Sequence, residues 1–292
     1  MRTGIIIQTK ETMTKNLLKE VMIKTETKEF FNSFDISGMK EKIESGYLVG
    51  RETKNQKKKT FAPSTLVYGH GECARYWYLA FEGGDFEDFS DAFAVANMSN
   101  GSLSHERIQK ALLDSGIAKK FLDEKHFEKY KEEKDTTEFK ITHSDPPIFG
   151  YGDGIINWNN EEMVIEIKTA QSDGFEYRKN HSKPKAGHLM QLLIYMKILK
   201  KQKGVLIYES KNNHELLLFP IEVNGHYIRW VDQAFDWMRT VREAWKNKTL
   251  PAKNYRSNSK ICKTCPLQKM CADAGDGTIK IKSLEPLENE EL

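Results

Sequence analysis

The chain has 292 residues, of which 39% are hydrophobic and 30% charged, with a formal net charge of +3. That balance describes a soluble globular protein long enough for one large α/β domain or two small ones. It excludes a membrane protein of the helical kind, since no apolar run approaches the ~20 residues a span requires. The charge is unevenly spread: Lys54 to Thr60 and Lys179 to Lys185 are basic strips that suit a polyanion or simple solubility, and Leu284 to Leu292 is acidic.

Residues 1–60 are rich in Lys, Thr and Glu, with an amphipathic piece from Phe30-Phe31 to Ile43, and read as a helical or irregular, partly flexible appendage. No signal-peptide pattern follows Gly4-Ile5-Ile6-Ile7, so a reducing, cytoplasmic compartment is expected. Residues 61–275 form the expected domain and 276–292 an acidic tail, with disorder confined to the two termini. Ser90 to Gly116 reads as a helix, with Leu103, Ile108, Ala111 and Leu112 near period 3.6. Two strands follow, Ile148 to Asn157 and Glu162 to Thr169, joined across Trp158-Asn159-Asn160-Glu161 as a hairpin. A helix from about Lys185 to Lys201 carries Leu189, Leu192, Leu193, Met196 and Leu199 as an apolar stripe. A second hairpin, Gly204 to Glu209 and Leu216 to Val223, turns at Asn212-Asn213. The last long helix, about Tyr227 to Lys246, has Ile228, Val231, Phe235, Met238 and Trp245 on one face. This order predicts an α/β fold with a mixed central sheet flanked by helices.

Chemistry concentrates in two places. Cys73 stands alone, and Cys262, Cys265 and Cys271 follow as C-x2-C-x5-C in a Pro-interrupted, Lys-rich segment that is poorly suited to core burial. In a reducing compartment disulfides are rare, so a metal centre, zinc or iron–sulfur, is expected over buried thiols or disulfides. Within Val164-Ile165-Glu166-Ile167-Lys168 the side chains alternate, which places Glu166 and Lys168 on one face of a strand covered on its Ile face. Asp153 lies one strand earlier between Gly152 and Gly154, where the glycines are expected to leave room for a phosphate or a metal-bound water. Asp153 and Glu166 can then share a divalent cation, Mg2+ or Mn2+, with Lys168 beside it, which suits phosphodiester hydrolysis.

Asp153 followed by Glu166-x-Lys168 resembles the PD-(D/E)XK nuclease superfamily. The resemblance to its RecB-like branch extends to His105 after Gly101-Ser102-Leu103-Ser104 and to Gln191 and Tyr195 in a Q-x-x-x-Y helix. The one-plus-three cysteine order resembles the cluster-bearing subgroup that includes CRISPR-associated adaptation nucleases, the AddB nuclease domain and phage exonucleases. It covers about Gly71 to Ala272, and it lacks the Pro of the signature, Gly152 standing before Asp153. The resemblance implies a restriction-endonuclease-like core and a [4Fe-4S] cluster on Cys73, Cys262, Cys265 and Cys271, a clasp joining the N- and C-terminal segments. It further implies His105, Asp153, Glu166 and the Ile167 carbonyl as Mg2+ or Mn2+ ligands, and Asp153, Glu166 and Lys168 as catalytic residues. Gln191 and Tyr195 would contact DNA or position the catalytic groups. The Ala74-Arg75-Tyr76-Trp77-Tyr78 run either packs the clasp or stacks single-stranded bases. The expected activity is that of a metal-dependent DNA exonuclease acting at ends, preferring single strands, in recombination, repair or phage DNA metabolism of a bacterial or phage-infected cell. The alternatives are a structure-selective or CRISPR-adaptation-type endonuclease, or a non-catalytic DNA-binding subunit. No G-x-x-x-x-G-K-[ST] loop is present, so unwinding requires a helicase or recombination partner; a homo-oligomer is compatible, and no membrane partner is expected.

Overall fold

The computed structural model describes residues 36–67 and 69–284. The appendage up to residue 35, including Phe30 and Phe31, and the acidic tail from 285 lie outside the described residues. Two compact units are distinguished: the chain up to residue 50 together with 91–95, and the remainder. In the first, helix α1 (Ile36–Tyr47) has no buried residue.

The second unit begins with β1 (Lys54–Gln56) and two 3₁₀ turns, Pro63–Val67 and Gly69–Glu72. It continues with α2 (Ala74–Glu82), β2 (Gly84–Phe86), most of α3 (Ala92–Asp114), β3 (Phe121–Leu122), α4 (Glu124–Tyr130), β4 (Asp135–Thr136), β5 (Phe139–His143), β6 (Ile148–Gly152), β7 (Gly154–Trp158) and β8 (Glu161–Ala170). It ends with α5 (Ser172–His181), α6 (Ala186–Leu199), β9 (Lys203–Ser210), β10 (Leu216–Glu222), α7 (Gly225–Lys246), α8 (Lys260–Lys263) and α9 (Gln268–Asp273).

The main sheet is mixed, in the order β10-β9-β8-β7, with β8 and β9 parallel and the outer pairs antiparallel. The β7–β8 turn closes on Asn159 and Asn160, both at positive φ (53° and 64°), as a two-residue hairpin turn demands. The parallel β8–β9 pair needs a crossover, and α5 and α6 supply it.

Alternation along β8 separates two cores. Ile165 and Ile167 join Ile156, Val205 and Ile207 under Ile108 of α3, while Val164, Leu206 and Tyr208 face the larger core around α6. Every residue from Leu189 to Met196 is buried, so α6 has no solvent face in its middle turns, where a one-sided stripe was expected. The reason is that α6 is packed by the sheet on one side and by α7 and the Pro63–Val67 turn on others. On α7 the buried positions are Trp230, Val231, Ala234, Phe235, Met238, Val241 and Ala244; Ile228, expected inside, is 49% exposed because it lies in the first turn at the edge of that stripe.

One correction bears on the site. The expected strand Ile148 to Asn157 is two strands in two sheets: β6 pairs with β5, β7 pairs with β8, and Asp153 stands at the break. The short elements escaped the periodicity reading, among them α4, α5, α8, α9, β1 to β4 and the β5 arm, because each is too short to establish a repeat.

Candidate active site and cysteine-lined cavity

Asp153 is held at the strand break from both ends. Its Oδ2 accepts the Ile167 backbone N–H at 2.6 Å, and its carbonyl accepts the Thr137 hydroxyl at 2.6 Å. Its Oδ1 is 3.5 Å from Nδ1 of His105, which is carried by α3. The flanking glycines do not hold space open for a ligand as expected. A Cβ at Gly152 would meet the Phe139 ring at 2.6 Å, and one at Gly154 would meet Ile165 at 3.0 Å, so the chain's own core fills that room.

Glu166, on the opposite strand, is 2% exposed. Its Oε1 accepts from Lys168 Nζ at 2.6 Å and from Gln191 Nε2 at 2.7 Å. Its Oε2 is buried without a hydrogen-bond partner. Burial, and then the Asp153 carboxylate, push the Glu166 carboxyl up to about 8. For Lys168, burial opposes the charge but the Glu166 and Asp153 carboxylates outweigh it and raise its pKa. Two buried carboxylates facing one another, with an orphaned oxygen, form an electron-rich site that a divalent cation would satisfy. The residues present therefore fit a hard metal ion. Among the described residues no three His, Cys, Asp or Glu side chains close on one ion, either here, where Glu166 is turned toward Lys168 and Gln191, or at the four cysteines.

Gln191 and Tyr195 lie one turn apart on α6 beneath this pair. Gln191 Nε2 also donates to the Tyr195 hydroxyl at 3.2 Å, and that hydroxyl donates to the Tyr151 carbonyl at 3.1 Å. Both side chains are buried, so they brace Glu166 and the β6 backbone. An open cleft lined by Met98, Gly101, Ser102, His105, Gln109 and Glu138 leads to the His105 side. Sequence reasoning missed Thr137 and Glu138, in the bend between β4 and β5, and Tyr151 of β6. It also missed the buried Glu209, whose Oε1 binds Arg107 and, at 2.7 Å, His214 Nδ1. No local pattern distinguishes these from ordinary polar residues.

The four cysteines come together from remote positions and border one cavity of about 110 Å³, with His70, Arg75 and Tyr255 among the other lining residues. None is in a disulfide. Cys73 is the N-cap of α2 without a side-chain cap hydrogen bond; burial is the largest influence on its thiol and raises its pKa. Burial pushes the Cys265 thiol up to about 12, with the other three thiols adding to the shift. Four soft donors around one partly enclosed space fit a thiolate-bound metal centre by their chemistry, and such a centre would offset the charge of the thiolates. The aromatic run before the cavity is not a stacking surface: Tyr76, Trp77 and Tyr78 are all buried, at 4%, 0% and 7% exposure. Trp77 packs on Phe61 and donates to the Gly71 carbonyl, which assigns the run to the core.

A carboxylate at the strand break, a second on β8, a lysine two residues on and a bracing glutamine make this cluster the candidate active site. The model of the PD-(D/E)XK nuclease superfamily matches residues 75–272, more than half of the chain, and the chain belongs to that superfamily. No curated protein matches the sequence. Among solved structures, the chain is distantly similar to SSO0001, at 18% identity and a TM-score of 0.40, covering 80% of this chain and 96% of that one. It is also distantly similar to the alkaline exonuclease LHK-Exo from Laribacter hongkongensis, at 15% identity and a TM-score of 0.38, covering 52% of this chain and 71% of that one. The same exonuclease in complex with dAMP matches at 15% identity and a TM-score of 0.39, covering 56% and 72%. No helix among the described residues is long and apolar enough to cross a membrane.

Proposed function

We propose that the protein is a metal-dependent DNA exonuclease with a restriction-endonuclease-like core, acting at DNA ends and preferring single strands, in recombination, repair or phage DNA metabolism. The observation that carries this reading is the buried Asp153–Glu166 pair with the unpartnered Glu166 Oε2 beside Lys168. His105, Asp153, Glu166 and the Ile167 main chain would hold Mg2+ or Mn2+. When bound, that ion supplies Lewis-acid activation of water and of the scissile phosphate. Lys168, released from Glu166, places its ammonium beside the reacting phosphate and stabilises the charge that develops there. Gln191 fixes the Glu166 carboxylate and Tyr195 fixes Gln191, so neither needs to touch DNA to matter.

The cysteine cavity we assign to a structural [4Fe-4S] cluster. Its support is a cavity of about 110 Å³ bordered by cysteines from both ends of the domain, which has room for a group larger than a single zinc ion.

The test uses end-labelled single- and double-stranded DNA and a closed circle with Mn2+. Release of nucleotides from labelled ends, with circles intact, is expected. Cutting of circles overturns the exonuclease reading in favour of an endonuclease, and binding without cutting overturns the enzymatic reading in favour of a DNA-binding subunit.

A further inference from the structure

At the wall of the cysteine cavity stands a cation that the nuclease chemistry does not use. Arg75, the second residue of α2, is 1% exposed. Its Nη1 donates to the Pro251 carbonyl at 2.9 Å, and its Nη2 to the Cys271 carbonyl at 3.0 Å and the Gly275 carbonyl. Its Nε donates to the Cys271 sulfur at 3.1 Å. Among the described residues no carboxylate pairs with it.

We propose that Arg75 is the counter-charge and positioning residue of the cysteine cavity, its guanidinium binding the Cys271 sulfur and holding the ligand set in place for the cluster. This rests on the cluster reading given above. A guanidinium stays protonated in proteins, so its burial requires compensation. Carbonyl dipoles solvate it but bring no net negative charge, and an unpaired buried ion is strongly unfavourable. Four thiolates outweigh the positive charge of an iron–sulfur core and leave a net anion, which places the missing negative charge next to Arg75. Hydrogen bonds to the cysteine sulfurs are among the features that set cluster potentials. The fork also joins three separate pieces of chain: α2, Pro251, and the Cys271–Gly275 segment. A lysine has the charge but not the planar fork needed to reach all of them.

The experiment compares the anaerobically purified full chain with Arg75→Gln and Arg75→Lys. It measures iron and acid-labile sulfide, visible absorption, circular dichroism, reduction potential by dye equilibration, and the rate of iron loss to a chelator. In the loaded wild type the cluster is retained longest. Arg75→Gln is expected to shift the potential to more negative values, because a lost positive charge disfavours adding an electron, and to lose iron several-fold faster. Arg75→Lys is expected to restore most of the potential while still losing iron faster than wild type. A purely structural arginine would leave the potential unmoved in folded, loaded Arg75→Gln, and that result overturns the inference alone. Should Arg75→Gln not fold, iron loss from Arg75→Lys at the wild-type rate overturns it equally. Wild-type protein that carries no iron and sulfide overturns the cluster reading, and this inference with it.

Discussion

At the scale of single residues, Glu166 combines two properties that are hard to reconcile in a purely structural carboxylate: it is 2% exposed and it faces a second carboxylate. Its raised pKa has a sign that can be tested. Between the ordinary carboxylate range and about 8 the folded chain keeps a proton that the unfolded chain has released, so metal-free stability falls as pH rises through that window. Denaturant titrations across this range are expected to show the decline, and added Mn2+ is expected to flatten it by displacing the proton. Glu166→Gln keeps an acceptor for Lys168 and Gln191 but removes the repulsion. It is expected to raise the metal-free Tm, to abolish the Mn2+-dependent rise in Tm and to abolish cleavage. Lys168→Ala or Asp153→Ala is expected to reduce cleavage by at least ~10²-fold with circular dichroism unchanged. Wild-type cleavage by either variant would remove the site assignment.

Among the elements, the break between β6 and β7 matters most to the site. A continuous strand would put Asp153 into a regular ladder. The break frees its carboxylate to take the Ile167 N–H and leaves its carbonyl to Thr137. Gly152 belongs to this junction because Phe139 lies against it, with no space for a Cβ. Gly152→Ala is therefore expected to destabilise the protein by ~1–3 kcal/mol in urea unfolding, the range for forcing a methyl into a packed core. Pairing it with Phe139→Leu should recover part of that loss. Full additivity of the two costs would show that the ring is not what the glycine accommodates. The buried α6 belongs to the same logic: Gln191 and Tyr195 occupy positions that an apolar residue could fill, and they carry hydrogen bonds to Glu166 and to the Tyr151 carbonyl instead.

Over the whole molecule, the chain beyond α7 runs back across the body. Ala252 donates to the Ile279 carbonyl, Thr278 to Leu250, Leu284 to Glu72, and Trp237 Nε1 reaches the Lys282 carbonyl. Leu267, Ile281 and Leu284 are buried by this return. The segment is thus anchored by packing at its far end and by the cysteine cavity near its middle. Cys265→Ser is expected to lower bound iron and to lower the Tm. Limited proteolysis of that variant should open the segment around 253–277 while the sheet stays protected. An unchanged digestion pattern would show that packing alone closes the domain.

What residue spacing made legible was proximity: Asp153, Glu166, Lys168, Gln191 and Tyr195 come together as one cluster, and the four cysteines border one cavity, although Cys73, Cys265 and Cys271 also pack against the larger core, which their polar context argues against. Strand alternation put Glu166 and Lys168 on one face, and apolar periodicity found α3, α6 and α7 as helices without fixing their faces: Leu103 of α3 is 56% exposed while Ser104 and Gln109 are buried, and α6 is buried all round in its middle turns. What the amino-acid order could not contain is what lies across space from each residue. Tertiary packing decided that Asp153 sits at a break between sheets, that its glycines serve Phe139 and Ile165, that the aromatic run after Cys73 is core, and that α6 is covered nearly all round. It decided, too, that a single arginine faces the cavity the four cysteines share. Burial and long-range contact are properties of the folded chain: the same Glu or Arg is unremarked in water and consequential only when neighbours distant in sequence remove its solvent.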